Sequence, residues 1–253
     1  GAMRTVYIHC GPHKTGSTSL QAAMEATPEV FARRGLLASS LDPTGRLGLG
    51  RAHQEFVREL PALVAGDRRR ARFWNRLRVA ARDTGLTPVV SCEILSTHVM
   101  RPAQLEALVA YVASLGWRPH FLYVLRDLPG WWNSSYVQDA KKSYTALDFD
   151  DWIVQALEKP RYDPARLLAP LLGRDDLDLT VLSFPRAVRD GLLSSFLQAM
   201  GGAPLEPGEA DGARIANPNA GTRAVHVGRR TARRMAEAGL DPRRHRHLYP
   251  MLK

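Results

Sequence analysis

The residues best suited to chemistry lie between positions 10 and 21, where the chain reads Cys-Gly-Pro-His-Lys-Thr-Gly-Ser-Thr-Ser-Leu-Gln. Gly11 and Gly16 bracket a short loop that holds His13, Lys14 and Thr15, and three hydroxyl side chains, Ser17, Thr18 and Ser19, follow at once. An apolar run, Thr5–Cys10, precedes the loop and reads as a buried strand; the residues after it read as a helix. A strand that turns through glycines into a helix makes an anion site. The first N–H groups of the helix have no partner within it, and the helix dipole favours negative charge there. Glycine allows the backbone angles and the close approach that a phosphate cradle needs. The spacing Gly11-x-x-x-x-Gly16 matches the front of the triphosphate-binding loop G-x-x-x-x-G-K-[ST]. Position 17, however, is serine where that loop has lysine, and the lysine stands inside the loop at 14. Such a displaced cation suits an anionic group donor other than ATP held in the usual way.

Two further strand ends carry chemistry. The run His120–Leu125 is followed by Arg126, and Ser134 comes eight residues later. Arginine offers a permanently charged planar fork for a phosphate, and serine adds a short neutral donor. Asp127 is expected to cap the helix entered at Pro129. The run Pro88–Cys92 leads into Glu93 and, a turn later, His98. A carboxylate at Glu93, with its pKa raised by partial burial, could take a proton from an acceptor hydroxyl; His98 competes for that role and His13 less so. Loops at the ends of parallel strands converge at the carboxyl edge of a sheet, the usual ligand position in open α/β folds.

The segment Gly-x-His-Lys-Thr-Gly-Ser-Thr-Ser-Leu-Gln at 11–21 resembles the 5′-phosphosulfate loop of bacterial sulfotransferases, which take their sulfuryl group from 3′-phosphoadenosine 5′-phosphosulfate (PAPS). The resemblance, of motif quality over about residues 4–21 and 88–145, implies a P-loop-like nucleotide site. In it Lys14 contacts the 5′-phosphate and the transferring group. The backbone of Thr15, Gly16, Ser17, Thr18 and Ser19, with the Ser17 and Thr18 hydroxyls, holds the phosphate. It also implies that Arg126 and Ser134 grip the 3′-phosphate and that Glu93, in the pattern Ser-x-Glu, is the base. A late stretch, Asn217–Arg223, would complete the nucleotide site through Arg223, with Arg229, Arg230, Arg233 and Arg234 as alternatives. The product is adenosine 3′,5′-bisphosphate, and no metal is required. The acceptor, a hydroxyl or amine on a small molecule, glycan or lipid, stays open. An ATP-dependent kinase is the alternative enzyme, weakened by the missing lysine at 17 and by the lack of a clear strand-ending aspartate for a metal.

The elements that must position these residues alternate. Strands are expected at Thr5–Cys10, Pro88–Cys92, His120–Leu125 and Leu177–Leu182. Helices are expected at Ser17–Glu25, His53–Val64, Arg69–Thr84, Pro102–Leu115, Pro129–Ala140, Phe149–Glu158, Pro164–Leu172, Arg186–Met200 and Thr222–Ala238. This order predicts a three-layer α/β fold with a mainly parallel central sheet, built as a single domain over residues 4–253. Gly1-Ala2 before Met3 reads as a tag scar. The Gly-rich stretch Asp42–Gly50 reads as a mobile loop, and Gly201–Asn219 as a long loop or lid.

Composition bounds the rest. The 253 residues hold two cysteines, too few for a disulfide framework, and Cys10 and Cys92 read as buried fillers that become neighbours if their strands pair. No apolar run is long enough to cross a membrane, and a cytoplasmic location is the expectation. The net charge is +10, yet only five of the 35 basic residues are lysines, as in arginine-rich chains from GC-rich genomes. A nucleic-acid-binding protein is the reading from outside enzymology, resting on Arg68–Arg70 and Arg243–His247, but no nucleic-acid motif accompanies those clusters and no such partner is expected. Trp131, Trp132, Tyr136, Phe149 and Trp152 either pack a core or stack on a ligand. Lys141 and Lys142 read as surface residues that an acidic or sulfated acceptor could use.

Overall fold

The computed structural model describes residues 3–38, 53–99, 101–209 and 222–244. Asp42–Gly50 lies outside the described residues. Among them the elements run β1 (Arg4–His9), α1 (Ser17–Ala26), α2 (Pro28–Ala32), β2 (Leu36–Ala38), α3 (Glu55–Val64), α4 (Arg72–Thr84), β3 (Thr87–Ser91), α5 (Leu95–His98), α6 (Pro102–Ser114), β4 (Trp117–Leu125), α7 (Leu128–Lys141), α8 (Phe149–Leu157), α9 (Pro164–Leu168), β5 (Asp178–Ser183), α10 (Phe184–Asp190), α11 (Leu192–Ala199) and α12 (Thr222–Glu237). The chain forms two compact units. The first joins Gly1–Arg126 to Pro164–Ala216, and the second joins Asp127–Asp163 to Asn217–Lys253.

The first unit carries a five-stranded sheet in the order β2-β3-β1-β4-β5, parallel throughout and flanked by helices. Central strands buried on both faces read as near-continuous apolar runs. In β4, Phe121, Leu122, Tyr123 and Val124 are all buried. Alternation sends Leu122 and Val124 to one face. There they pack with Leu20 and Met24 of α1, Phe31 of α2, and Phe196 and Leu197 of α11. Edge strand β5 is tied to β4 by its side chains: Arg118 donates to both carboxylate oxygens of Asp178 at 2.9 and 3.0 Å, and His120 meets the Thr180 hydroxyl at 2.7 Å.

The departures from the sequence reading have local causes. β2 is three residues long, too short to register as a strand pattern, and forms because Leu36–Ala38 pair beside β3. The expected helix over Arg186–Met200 is two helices. Gly191 separates them at φ 97°, outside helical space. The pattern over Pro164–Leu172 gives only the five residues of α9. The expected loop at Gly201–Asn219 is described as far as Glu209. Arg34, its side chain almost buried, donates to the carbonyls of Ala203 and Pro204 and to the Glu209 carboxylate and so pins this stretch.

The second unit holds a small aromatic core. Tyr136, Trp152 and Tyr162 are buried together, with Phe149 stacked on Trp152 at 6.2 Å between ring centres. The Trp152 indole donates to Asp139 and the Trp132 indole to the Tyr162 carbonyl. Trp131 packs at 6.2 Å from Tyr162 and is buried as well. These aromatics therefore serve packing rather than an open stacking surface. Within the same unit α12 lies on α7 at Gly228: a Cβ there would run into the Ala140 carbonyl.

Candidate anion site at the strand edge

β1 ends at His9, and residues 10–16 carry the chain over the sheet edge into α1. Two backbone bonds hold the loop root: Cys10 N–H donates to the Leu122 carbonyl at 3.0 Å, and Val124 N–H donates to the Gly11 carbonyl at 2.9 Å. Both glycines are needed. Gly11 has φ 87°, and a Cβ there would lie 2.6 Å from the Glu93 carbonyl oxygen. Gly16 has φ 86° and precedes α1; a Cβ there would press on the Leu192 side chain at 2.6 Å. Lys14 adopts φ 63° without being glycine. A left-handed residue of this kind costs on the order of 1–3 kcal/mol and is held only where its surroundings over-determine it.

The loop hydroxyls divide. Thr15 is buried and donates to the Pro12 carbonyl at 2.6 Å. Ser17 is buried and turned toward the same carbonyl at 3.5 Å. Thr18 is exposed, and His13, Lys14 and Ser19 are half-buried. No side chain caps α1, and Ser19 and Leu20 N–H share the Gly16 carbonyl. The helix start therefore presents the N–H groups of Ser17 and Thr18 and a positive dipole end.

Arg126, just past β4, is brought to this loop. Its Nη1 donates to the Lys14 carbonyl at 2.9 Å, and its guanidinium lies 4.9 Å from the centre of the Phe184 ring. Glu93, just past β3, is half-buried, with its backbone against Gly11. Residues after three adjacent strands, β3, β1 and β4, thus meet at one edge. This edge is also where the order of crossovers reverses, since the chain reaches β2 and β3 on one side of β1 and then β4 and β5 on the other. His98 is half-buried at the end of α5, with Nδ1 2.9 Å from the Gln104 side-chain oxygen. Ser134 is half-buried on α7, in the second unit. Asp127 caps α7 as expected, its carboxylate accepting from Gly130 N–H at 2.8 Å. Arg223 is the second residue of α12, and its side chain lies outside the described residues, as does the stretch 210–221.

Sequence reasoning missed the polar network behind the loop. His9 Nδ1 lies 2.8 Å from the Ser91 hydroxyl, and the Gln21 amide donates to that hydroxyl at 3.1 Å. Ser91 N–H in turn donates to His53 Nδ1 at 2.8 Å. The Ser91 hydroxyl accepts from Gln21 and can either give its own proton to His9 Nδ1 or accept one from it, and Nε2 is the ring nitrogen left over. That Nε2 is buried with no hydrogen-bond partner, and the ring stands edge-on to Phe196 at 5.2 Å. Burial pushes His9 down to about 3 and His53 to about 4. The network ties the ends of β1 and β3 and the start of α1 together. Its signal in the sequence was present, a histidine closing a buried strand and a glutamine on the inward face of α1. Cys10 and Cys92 are buried, and desolvation pushes both thiols up to about 12.

Among the described residues, no group of three or more His, Cys, Asp or Glu could hold a metal ion, and no helix is long and apolar enough to cross a membrane. The chain matches no family model, no curated protein and no solved structure. Taken alone, the edge can do two things. It can hold a tetrahedral oxyanion against backbone N–H groups and cations, and it can offer a carboxylate to a neighbouring hydroxyl.

Proposed function

We propose that the chain is a sulfotransferase that moves a sulfuryl group from PAPS to a hydroxyl or amine of a small molecule, glycan or lipid. The observation that carries this reading is the bond from Arg126 to the Lys14 carbonyl. It joins the two segments whose residue patterns independently suit the two phosphate-bearing ends of that donor. The half-buried Glu93, packed against the same loop through Gly11, supplies the third requirement.

When bound, the donor supplies an SO3 group on a phosphate leaving group. The chain's residues then have distinct tasks. The Ser17 and Thr18 N–H groups and the α1 dipole hold the 5′ oxyanion. Lys14 offsets the charge that builds on the bridging oxygen as its bond to sulfur breaks. Arg126 orients the nucleotide through its 3′-phosphate, a contact that the resemblance also gives to Ser134. Glu93 takes the acceptor proton as the new oxygen–sulfur bond forms, a role worth about 10²–10⁴ in rate. Positioning and charge stabilisation carry most of such a transfer.

Titration calorimetry with adenosine 3′,5′-bisphosphate in the absence of metal tests the reading. Binding is expected in the wild type. It should weaken by about tenfold or more in Lys14→Ala and in Arg126→Ala, the loss of a charge-assisted contact. Binding of Mg2+–ATP with no response to the bisphosphate would replace the sulfotransferase with a kinase. With an acceptor that supports turnover, Glu93→Gln should remove activity and keep bisphosphate binding; near-normal turnover would move the base to His98.

A further inference from the structure

The second unit carries a block of positive charge of its own. Within α12, His226, Arg229, Arg230 and Arg233 are spaced i, i+3, i+4 and i+7, which places them on one face. Gly228, Thr231, Ala232 and Met235 are buried on the side toward α7, while His226, Arg230 and Arg233 are exposed and Arg229 is half-buried. The four charged or ionisable residues line a cleft of about 340 Å3. That volume falls at the lower end of small-molecule sites, about 300–1,000 Å3.

Some arginines elsewhere have carboxylate partners, as in Arg34–Glu209, Arg118–Asp178 and Arg174–Asp176. Among the described residues, no carboxylate forms an ion pair with Arg229, Arg230 or Arg233, although Glu237 follows Arg233 by one turn. Arg229 Nε is buried with no hydrogen-bond partner. Like charges a turn apart each destabilise a helix by about 0.2–0.5 kcal/mol. A merely solvated face would not need to sink a guanidinium nitrogen into the surface. Guanidinium forks match phosphate and sulfate oxygens in pairs, so the arrangement suits a ligand with more than one such group. The cleft is small, and among the described residues that line it none is Asn or Gln, the side chains that read adenine edges, which argues against a nucleic-acid duplex.

We propose that this face of α12 is a second oxyanion site that takes an acceptor already bearing phosphate or sulfate groups. The role as acceptor site rests on the sulfotransferase reading; the oxyanion site does not. The test is calorimetry with inorganic tripolyphosphate at near-physiological salt, on protein first saturated with adenosine 3′,5′-bisphosphate. One tripolyphosphate should bind. The Arg230→Gln/Arg233→Gln variant, altered only at exposed positions, should bind it about tenfold or more weakly; an equal loss of bisphosphate affinity would return these arginines to the nucleotide site and overturn the proposal. Lys14→Ala should lose the bisphosphate and keep tripolyphosphate. The proposal is overturned if the bisphosphate blocks tripolyphosphate, if the double variant binds like wild type, if wild type does not bind, or if a DNA duplex binds this face more tightly. Failure of the bisphosphate alone, with α12-dependent tripolyphosphate binding intact, would remove the sulfotransferase reading and leave the oxyanion site.

Discussion

Lowering the pH should unfold this protein through two imidazoles that the fold keeps neutral. Burial holds His9 near 3 and His53 near 4, against 6.5 for a free side chain. Their nearest partners are uncharged: Ser91, Gln21 and Phe196 around His9, and the Ser91 N–H and Phe73 beside His53. The unfolded chain therefore takes up protons below about pH 6.5 that the folded chain refuses until about pH 4 or lower. The stability this gives is complete above pH 6.5 and drains as the pH falls. Each site costs about 1.4 kcal/mol per pH unit inside that window, so going from about pH 7 to about pH 5 removes about 2 kcal/mol per imidazole and about 4 in all. That is a large share of the ~5–15 kcal/mol that typically holds a fold together. Glu59, whose carboxyl is raised by desolvation, works in the opposite sense, and Asp176 and Asp178, lowered by their arginine partners, act mainly below the window. Urea unfolding at half-unit steps of pH gives the slope directly. At least two protons per molecule are expected between about pH 5 and 6, since burial also pushes His120 down, and one fewer in His9→Gln. A flat profile over that range in the wild type would refute the reasoning, because it would mean both rings can be protonated in place.

Two further outcomes follow from packing. Gly228→Ala should destabilise the protein by about 1–3 kcal/mol in urea unfolding, although alanine is the better helix former, because the new methyl meets the Ala140 carbonyl. Cys10 and Cys92 should resist a thiol reagent at mildly alkaline pH and become labelled only on unfolding, since burial keeps both protonated.

The sheet was legible where its strands announce themselves. Thr5–Cys10, Pro88–Cys92 and His120–Leu125 each overlap a strand, because a strand buried on both faces must be apolar almost throughout, and Leu177–Leu182 overlaps the less buried edge strand β5 through its leucine, threonine and valine residues. Leu36–Ala38 was not, since three residues carry no period and their strand state depends on β3 beside them. The break at Gly191 was misread because the apolar spacing of α10 and α11 continues across it. At the site, the loop from Gly11 to Ser19 could be read from glycine spacing alone. The turn of Ser17 and Thr15 toward Pro12, the contact of Arg126 with Lys14 and the His9–Ser91–Gln21 network could not. Each depends on which residues tertiary packing brings together across 3 to 112 positions of sequence.

The setting of Arg126 bears on kinetics and selectivity. A free arginine side chain surrenders up to about 2 kcal/mol of rotamer entropy when a ligand immobilises it. Here the Phe184 ring and the Lys14 carbonyl have already restricted it, so that loss is met during folding. An oxyanion reaching this guanidinium meets a fixed fork rather than a searching one. Discrimination would then rest on how well the geometry of the incoming group fits the remaining donors, and lysine, a flexible point charge, could not inherit the position even though it keeps the charge.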